Sequence, residues 1–259
     1  MKVGIVGKGF VGSAVAASYA EYRFYDPYKA GSVDNLSDLI DCEVIYICVP
    51  TPQAANGACD AGAVIETLDI LDALDFKGLI IAKSTAPYSV YEKYAERLML
   101  AFIPELLRAN TAVQDYLSSE FMTVGCKDAQ TFERVLNAIN ESALINCKSF
   151  RQISIREACL MKYFENSFFA VKVSMMNEFR DLVLSVGANW DNVIDCLTLD
   201  PRICPDHTQV PGPDGKFGWG GHCLPKDTSA LLKIAADNSI ELTTLKAAVL
   251  SNNYYRNIE

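Results

Sequence analysis

The sequence has only two histidines, His207 and His222, and no CxxC pair among its nine cysteines. Structural zinc sites are built from histidine and cysteine in tight local pairs, so no metal is expected. The cysteine number is odd and the spacing scattered, which argues for reduced thiols rather than a disulfide framework. Positive charge is also short, with 23 lysines and arginines against 32 aspartates and glutamates, a net charge of -9. Such a surface repels phosphate backbones and anionic lipid, so neither nucleic acid nor membrane is expected as a partner. No apolar run approaches the roughly 20 residues that span a bilayer. The opening MKVGIVGKGF reaches glycine too early for a secretory signal, and a cytoplasmic protein is the expectation.

What is present suits a globular protein. Half of the 259 residues are hydrophobic and 21% charged, enough apolar material for packed cores. That length accommodates two ordinary domains.

The first stretch, KVGIVGKGFVGSAVAASYA, runs from a β-rich segment through Gly7, Gly9 and Gly12 into an alanine-rich helical pattern. Chemistry explains the spacing. Gly7 permits the turn, Gly9 lets backbone amides approach a pyrophosphate, and Gly12 allows close helix-on-strand packing. The next strand, EYRFYD, ends in Asp26, whose carboxylate can accept both ribose hydroxyls of NAD. A 2′-phosphate there would meet a like charge costing up to about 4 kcal/mol, so NAD is expected over NADP. CEVIYICVPTP and GLIIAKSTAP read as further strands, with Thr51 and Thr85 at their carboxyl ends, where ligands of a parallel sheet bind. LMLAFIPELLRAN supplies another strand, and EFMTVGC with DAQTFERVLNAI a last strand and helix. An N-terminal Rossmann-type doubly wound parallel sheet is predicted over 1–150, followed by an all-helical domain over 151–259.

From 154 to 186 there is neither proline nor glycine. One helix of that length would run on the order of 45 Å. Apolar groups lie on most of its circumference, among them Phe164, Phe168, Val173, Met176, Phe179 and Val183. A helix so apolar needs cover on several sides, and a two-fold homodimer through it is expected. Lys162 and Asn166 share a face of this helix. They read either as a snorkelling lysine beside an incidental amide, or as a cation and donor aimed at one developing oxyanion. The stretch KFGWGGHCLPKDTSALLKIAA favours the second. Gly220 and Gly221 let backbone approach a ligand, Cys223 follows them, and Asp227 or Thr228 is expected to cap the next helix. A thiol near a helix N-terminus and a lysine is biased toward the reactive thiolate.

GGHCLPKD and MKYFENSFFAVKVSMMNE resemble the cysteine loop and central helix of the UDP-glucose/GDP-mannose dehydrogenases. VPTP, KST-P, PELLR, DPRI and FGWGG fall in that family's order. The resemblance implies NAD-dependent, four-electron oxidation of a nucleotide sugar, UDP-glucose foremost, from the C6 alcohol to the uronic acid. Cys223 would trap the aldehyde, Lys162 and Asn166 would steady the oxyanion, Asp227 would move a proton, and Thr85 and Glu105 would position water and serve acid–base steps. It further implies NAD contacts from Gly7, Gly9, Phe10, Val11, Gly12, Asp26, Pro50, Thr51 and Thr85. Substrate contacts would come from Glu105, Leu106, Leu107, Arg108, Lys162, Asn166, Phe217, Gly220 and Cys223, with Arg202 reaching a neighbouring subunit's site. Two departures stand out. Ala109 occupies the place of the family's second glutamate, and the family's third, nucleotide-binding domain has no counterpart before Glu259. A β-hydroxyacid dehydrogenase, which uses lysine but no thiol, and a non-catalytic NAD- or nucleotide-sugar-binding module remain the alternatives.

Overall fold

The structure, a computed structural model, describes residues 1–142 and 144–257; the last two residues of the second predicted domain lie outside it. Seven strands form one sheet: β1 Val3–Val6, β2 Arg23–Tyr25, β3 Val44–Ile47, β4 Leu79–Ala82, β5 Leu100–Phe102, β6 Phe121–Cys126 and β7 Ser149–Ile153, in the order β2-β1-β3-β4-β5-β6-β7. The first five run parallel to one another. β3 and β4, VIYI and LIIA, are buried at every position, as a strand covered on both faces must be.

Two features depart from the sequence reading. β6 runs antiparallel to β5, and a further strand, β7, continues the sheet beside it. β7 was missed because SFRQI is largely exposed and carries no run of apolar residues. Residue 150, the predicted domain boundary, falls inside it.

Helices α1 Phe10–Ala16, α2 Gly62–Ala73, α3 Tyr88–Ala95, α4 Ala112–Leu117 and α5 Ala129–Asn140 alternate with the strands. Each sheet face carries its own core. Leu68, Leu71, Tyr91 and Phe102 belong to one, and Val15, Tyr46, Tyr116 and Val135 to the other. Side chains of this kind contribute roughly 1.5–3 kcal/mol each when buried. By its contacts the chain falls into two compact units, Met1–Pro52 with Cys59–Lys162, and Gln53–Ala58 with Tyr163–Glu259.

The long helix α6, Ile155–Ser185, matches its sequence expectation within a residue at each end. It is followed by α7 Trp190–Leu197, α8 Cys223–Asp237 and α9 Thr243–Arg256. In this second unit Trp219 packs on Ala170 and Val173 of α6, and its indole N–H donates to Ser174 Oγ at 2.9 Å. Asn177 and Asn252, both buried, accept from the N–H groups of Gly218 and Trp219 at 3.0 and 2.6 Å. The glycine-rich segment ahead of α8 is thereby fixed to α6 and α9.

Candidate active site

β1 and β3 lie at the point where strand order reverses, the crevice in which doubly wound sheets bind ligands at their carboxyl ends. Gly7 sits there at φ +85, and a Cβ on it would come within 2.7 Å of Cys48 O. A Cβ on Gly12 would fall 2.0 Å from Gly7 O, while one on Gly9 would meet nothing within 4 Å. The turn is thus closed on the protein side and open where a ligand's phosphates would lie. Asp26 Oδ2 accepts from Lys8 N–H at 2.8 Å and Oδ1 from Tyr28 N–H at 3.1 Å. A carboxylate offers about four acceptor positions, so ribose hydroxyls can still be received. Phe10 and Pro50 are exposed, Val11 is half-buried and Thr51 is buried. These residues fit a dinucleotide.

A second group forms at the ends of β4 and β5. Thr85, Glu105 and Lys162 are all buried. Glu105 accepts from Thr85 Oγ1 at 3.5 Å and pairs with Lys162 Nζ at 3.5 Å. Local bonds hold the Lys83-Ser84-Thr85 turn: Ser84 Oγ donates to Val49 O at 2.7 Å, Tyr91 OH to Ser84 O at 2.5 Å, and Cys59 Sγ to Thr85 O at 3.3 Å. Beyond Glu105, Leu106 and Leu107 are half-buried and Arg108 is exposed. The guanidinium of Arg108 bonds Asp115 at 2.7 and 3.1 Å, and this bond is the main cause holding that carboxyl well below its usual range. Ala109, exposed, opens a short 3-10 turn.

In the second unit Cys223 is half-buried and is the first residue of α8. The expectation that Asp227 or Thr228 caps this helix is corrected: it starts one turn earlier, after His222. Pro225 occupies the first turn, where its missing N–H costs nothing. Asp227, 1% exposed, lies one turn beyond Cys223 on the same face. Its carboxylate accepts from Asn166 Nδ2 and pairs with Lys226 Nζ, each at 2.5 Å. Such partners offset the hydration that a buried carboxylate gives up. Phe217 is exposed beneath the Arg180 guanidinium, 4.9 Å from ring centre. A Cβ on Gly220 would crowd the Arg256 guanidinium at 3.1 Å, and Arg256 in turn bonds Asp214 at 2.7 Å. Arg202 is exposed and folded back on Asp200 at 2.5 Å.

Burial pushes Cys48 up to about 12 and raises Cys42, Cys126, Cys147 and Cys159, so these five remain protonated, inert thiols near neutral pH. All nine cysteines stand outside disulfides, and no cluster of metal-ligating side chains occurs among the described residues. None of the helices there is long and apolar enough to cross a membrane.

Comparison with known proteins decides the family. Residues 30–143 match the NAD binding domain, and residues 156–254 the central domain, of the UDP-glucose/GDP-mannose dehydrogenase family. The chain belongs to this family. Its first unit is therefore an NAD-binding domain, and NAD is its cofactor. UDP-glucose 6-dehydrogenase of Haloferax volcanii is 26% identical over 98% of this chain and 70% of its own length. That of Rickettsia felis is 30% identical over 83% of this chain, which spans only 49% of the relative. Among solved structures, a UDP-glucose dehydrogenase from Pyrobaculum islandicum superposes with a TM-score of 0.85 at 24% identity, covering 98% of this chain and 68% of that one. A 3-hydroxyisobutyrate dehydrogenase from Mycobacterium tuberculosis gives 0.76 at 16% identity, covering 99% and 92%. At such identities these likenesses establish the fold alone.

Two charged groups escaped the sequence reading, Lys83 and Lys226. Both stand inside quoted motifs, next to residues that were singled out. Lys83 is buried at the end of β4, whereas Lys226 is half-buried and pairs with Asp227, its neighbour in sequence.

Proposed function

We propose that this chain carries out NAD-dependent oxidation of a nucleotide sugar at C6, alcohol to uronic acid, with UDP-glucose the first substrate to test. The observation that supports it most is the α8 start: a thiol at the first helical position, Asp227 one turn on, and the Asn166 amide bonded to that carboxylate.

NAD supplies the hydride acceptor, one equivalent for each of the two two-electron oxidations. Cys223 Sγ adds to the aldehyde carbon formed in the first, and the carbonyl oxygen becomes an oxyanion that Lys162 and Asn166 steady. Oxidation of that thiohemiacetal leaves a thioester on Cys223. Water aligned by Thr85 and Glu105 then breaks the C–S bond, releasing the carboxylate and the thiolate, while Asp227 handles a proton. The residues Leu106, Leu107, Arg108, Phe217 and Gly220 contact the substrate, and Arg202 serves a neighbouring subunit. The protein works in the cytoplasm as a homodimer joined along α6, whose Phe164, Phe168, Met175, Phe179 and Leu182 are exposed. The division into domains at 1–150 and 151–259 belongs to the same reading.

The test is stoichiometric. With UDP-glucose and excess NAD, two NADH per sugar consumed are expected. One per sugar would replace this reading with a simple alcohol oxidation of the β-hydroxyacid dehydrogenase kind. Binding of both ligands without turnover would make the chain a regulatory module.

Asp26 sets cofactor choice. Asp26→Asn keeps an acceptor for Lys8 N–H and removes the charge, so the ratio of kcat/KM for NAD over NADP should fall about tenfold or more, a loss of at least one charged hydrogen bond. An unchanged ratio would assign ribose recognition elsewhere.

A further inference from the structure

The eleven residues from Gly212 to His222 deliver Cys223 to α8, and five of them are glycines. Glycine loses more freedom than any other residue when a chain is fixed, so this segment needs more than its own backbone to hold it. Asn177 and Asn252 take the N–H groups of Gly218 and Trp219. The next holding group is Arg256 of α9, whose side chain is 13% exposed. Its Nη1 donates to Asp214 Oδ2 at 2.7 Å and its Nη2 to Gly218 O at 3.0 Å. Asp214 is itself tied into the segment, its Oδ1 accepting from Lys216 N–H at 3.1 Å. A Cβ on Gly220 would stand 3.1 Å from each of Cζ, Nη1 and Nη2 of the same guanidinium. Equal distances to three atoms of a flat group put that point over its plane, so the guanidinium lies as a floor beneath Gly220. Gly221 then turns at φ +77 in open space, and Cys223 begins α8 two residues later.

We propose that Arg256 is a positioning residue for Cys223: one guanidinium holds Asp214, holds the Gly218 carbonyl and underlies Gly220, and so fixes the approach of the chain to the thiol. This rests on the oxidation proposed above, in which the Cys223 sulfur must meet the aldehyde carbon. The shape of the group matters as much as its charge. A lysine ammonium could pair with Asp214, but it has no fork to reach Gly218 O as well and no plane to lay beneath Gly220. Without the guanidinium, the chain from Gly218 to His222 loosens and the first turn of α8 frays, which takes the thiol out of the field of the helix N-terminus. The same contact explains why a glycine stands at 220 on the protein side of the loop.

Alkylation of Cys223 by iodoacetamide at pH 7, followed by mass spectrometry of its peptide, reads the thiol without any sugar. In Arg256→Met it should slow about fivefold, the scale of a helix-terminus effect on a charge. Cys196 and Cys204, exposed thiols of the same unit, should keep their rates. Arg256→Lys should stay within about twofold of Arg256→Met. Gly220→Ala should also slow Cys223, by pushing the guanidinium aside. In Gly220→Ala/Arg256→Met the alanine should add less than about 1.5-fold, because nothing is left for it to displace. During turnover with UDP-glucose, kcat of Arg256→Met should fall about tenfold, with KM for NAD within about twofold. An unslowed Cys223 in Arg256→Met, full rescue by lysine, or independent effects of the two substitutions overturns the proposal. Gly220→Ala removes no hydrogen-bonding group and carries the test on its own, since an unslowed Cys223 there overturns it too. If the wild type oxidises no nucleotide sugar, the reaction assigned above fails, and the alkylation rates alone decide the part played by Arg256.

Discussion

Replacing Cys223 by alanine should lower uronic acid formation by at least about 10³-fold, the scale on which loss of a covalent nucleophile acts. Without the sulfur, the aldehyde carbon has no route to a thioester, so NADH per sugar consumed should fall from two toward one. The fold should scarcely notice. Cys223 is half-buried at the first turn of α8. A stability change within about 0.5 kcal/mol is expected, the range for positions outside a core. Acid-quenched wild type, analysed by mass spectrometry during turnover, should carry the sugar nucleotide on the peptide containing Cys223, and the variant should not. Full turnover by the alanine variant would remove the thiol from the mechanism.

The contrast with the other cysteines is physical. Cys48 and Cys159 lie against the sheet, where burial disfavours the thiolate. Cys223 stands instead at the beginning of α8, where unsatisfied N–H groups and the helix dipole favour negative charge. The sequence reading set the helix start at Asp227 or Thr228, beyond Pro225, instead of at Cys223. A proline within the first turn is compatible with a helix already begun. The error moved Asp227 to a cap, when it is a buried carboxylate inside the helix.

Other elements differed in how far local pattern could reveal them. The glycine turn and α6 were legible because their signals are local: fixed spacing of glycines in one case, a long absence of helix breakers in the other. β7 offered no such signal, since SFRQI is a mostly exposed strand at the end of the sheet. The reversed direction of β6 could not be read either, because side chains alternate in the same way in parallel and antiparallel strands. Thr85, Glu105 and Lys162 could be marked one at a time. Their union around one carboxylate arises only when β4, β5 and α6 are folded together.

The second large effect is expected on α6. Phe164, Phe168, Met175, Phe179 and Leu182 recur every three, four or seven residues, which places them along one side of the helix, and every one of them is exposed. In a two-fold interface each such residue is used twice. Phe168→Glu, at a position 65% exposed in the single chain, would therefore set two carboxylates against apolar surface with no cation supplied to either. A loss of about 4 kcal/mol or more follows, raising the dimer dissociation constant at least about 10³-fold. Sedimentation velocity at micromolar concentration should find a dimer for the wild type and a monomer for Phe168→Glu, with unchanged circular dichroism. Tyr28→Glu, at an exposed position of the first unit, should leave the mass alone. If Phe168→Glu stays dimeric, the subunits meet through some other surface, and the apolar side of α6 has to be assigned another role.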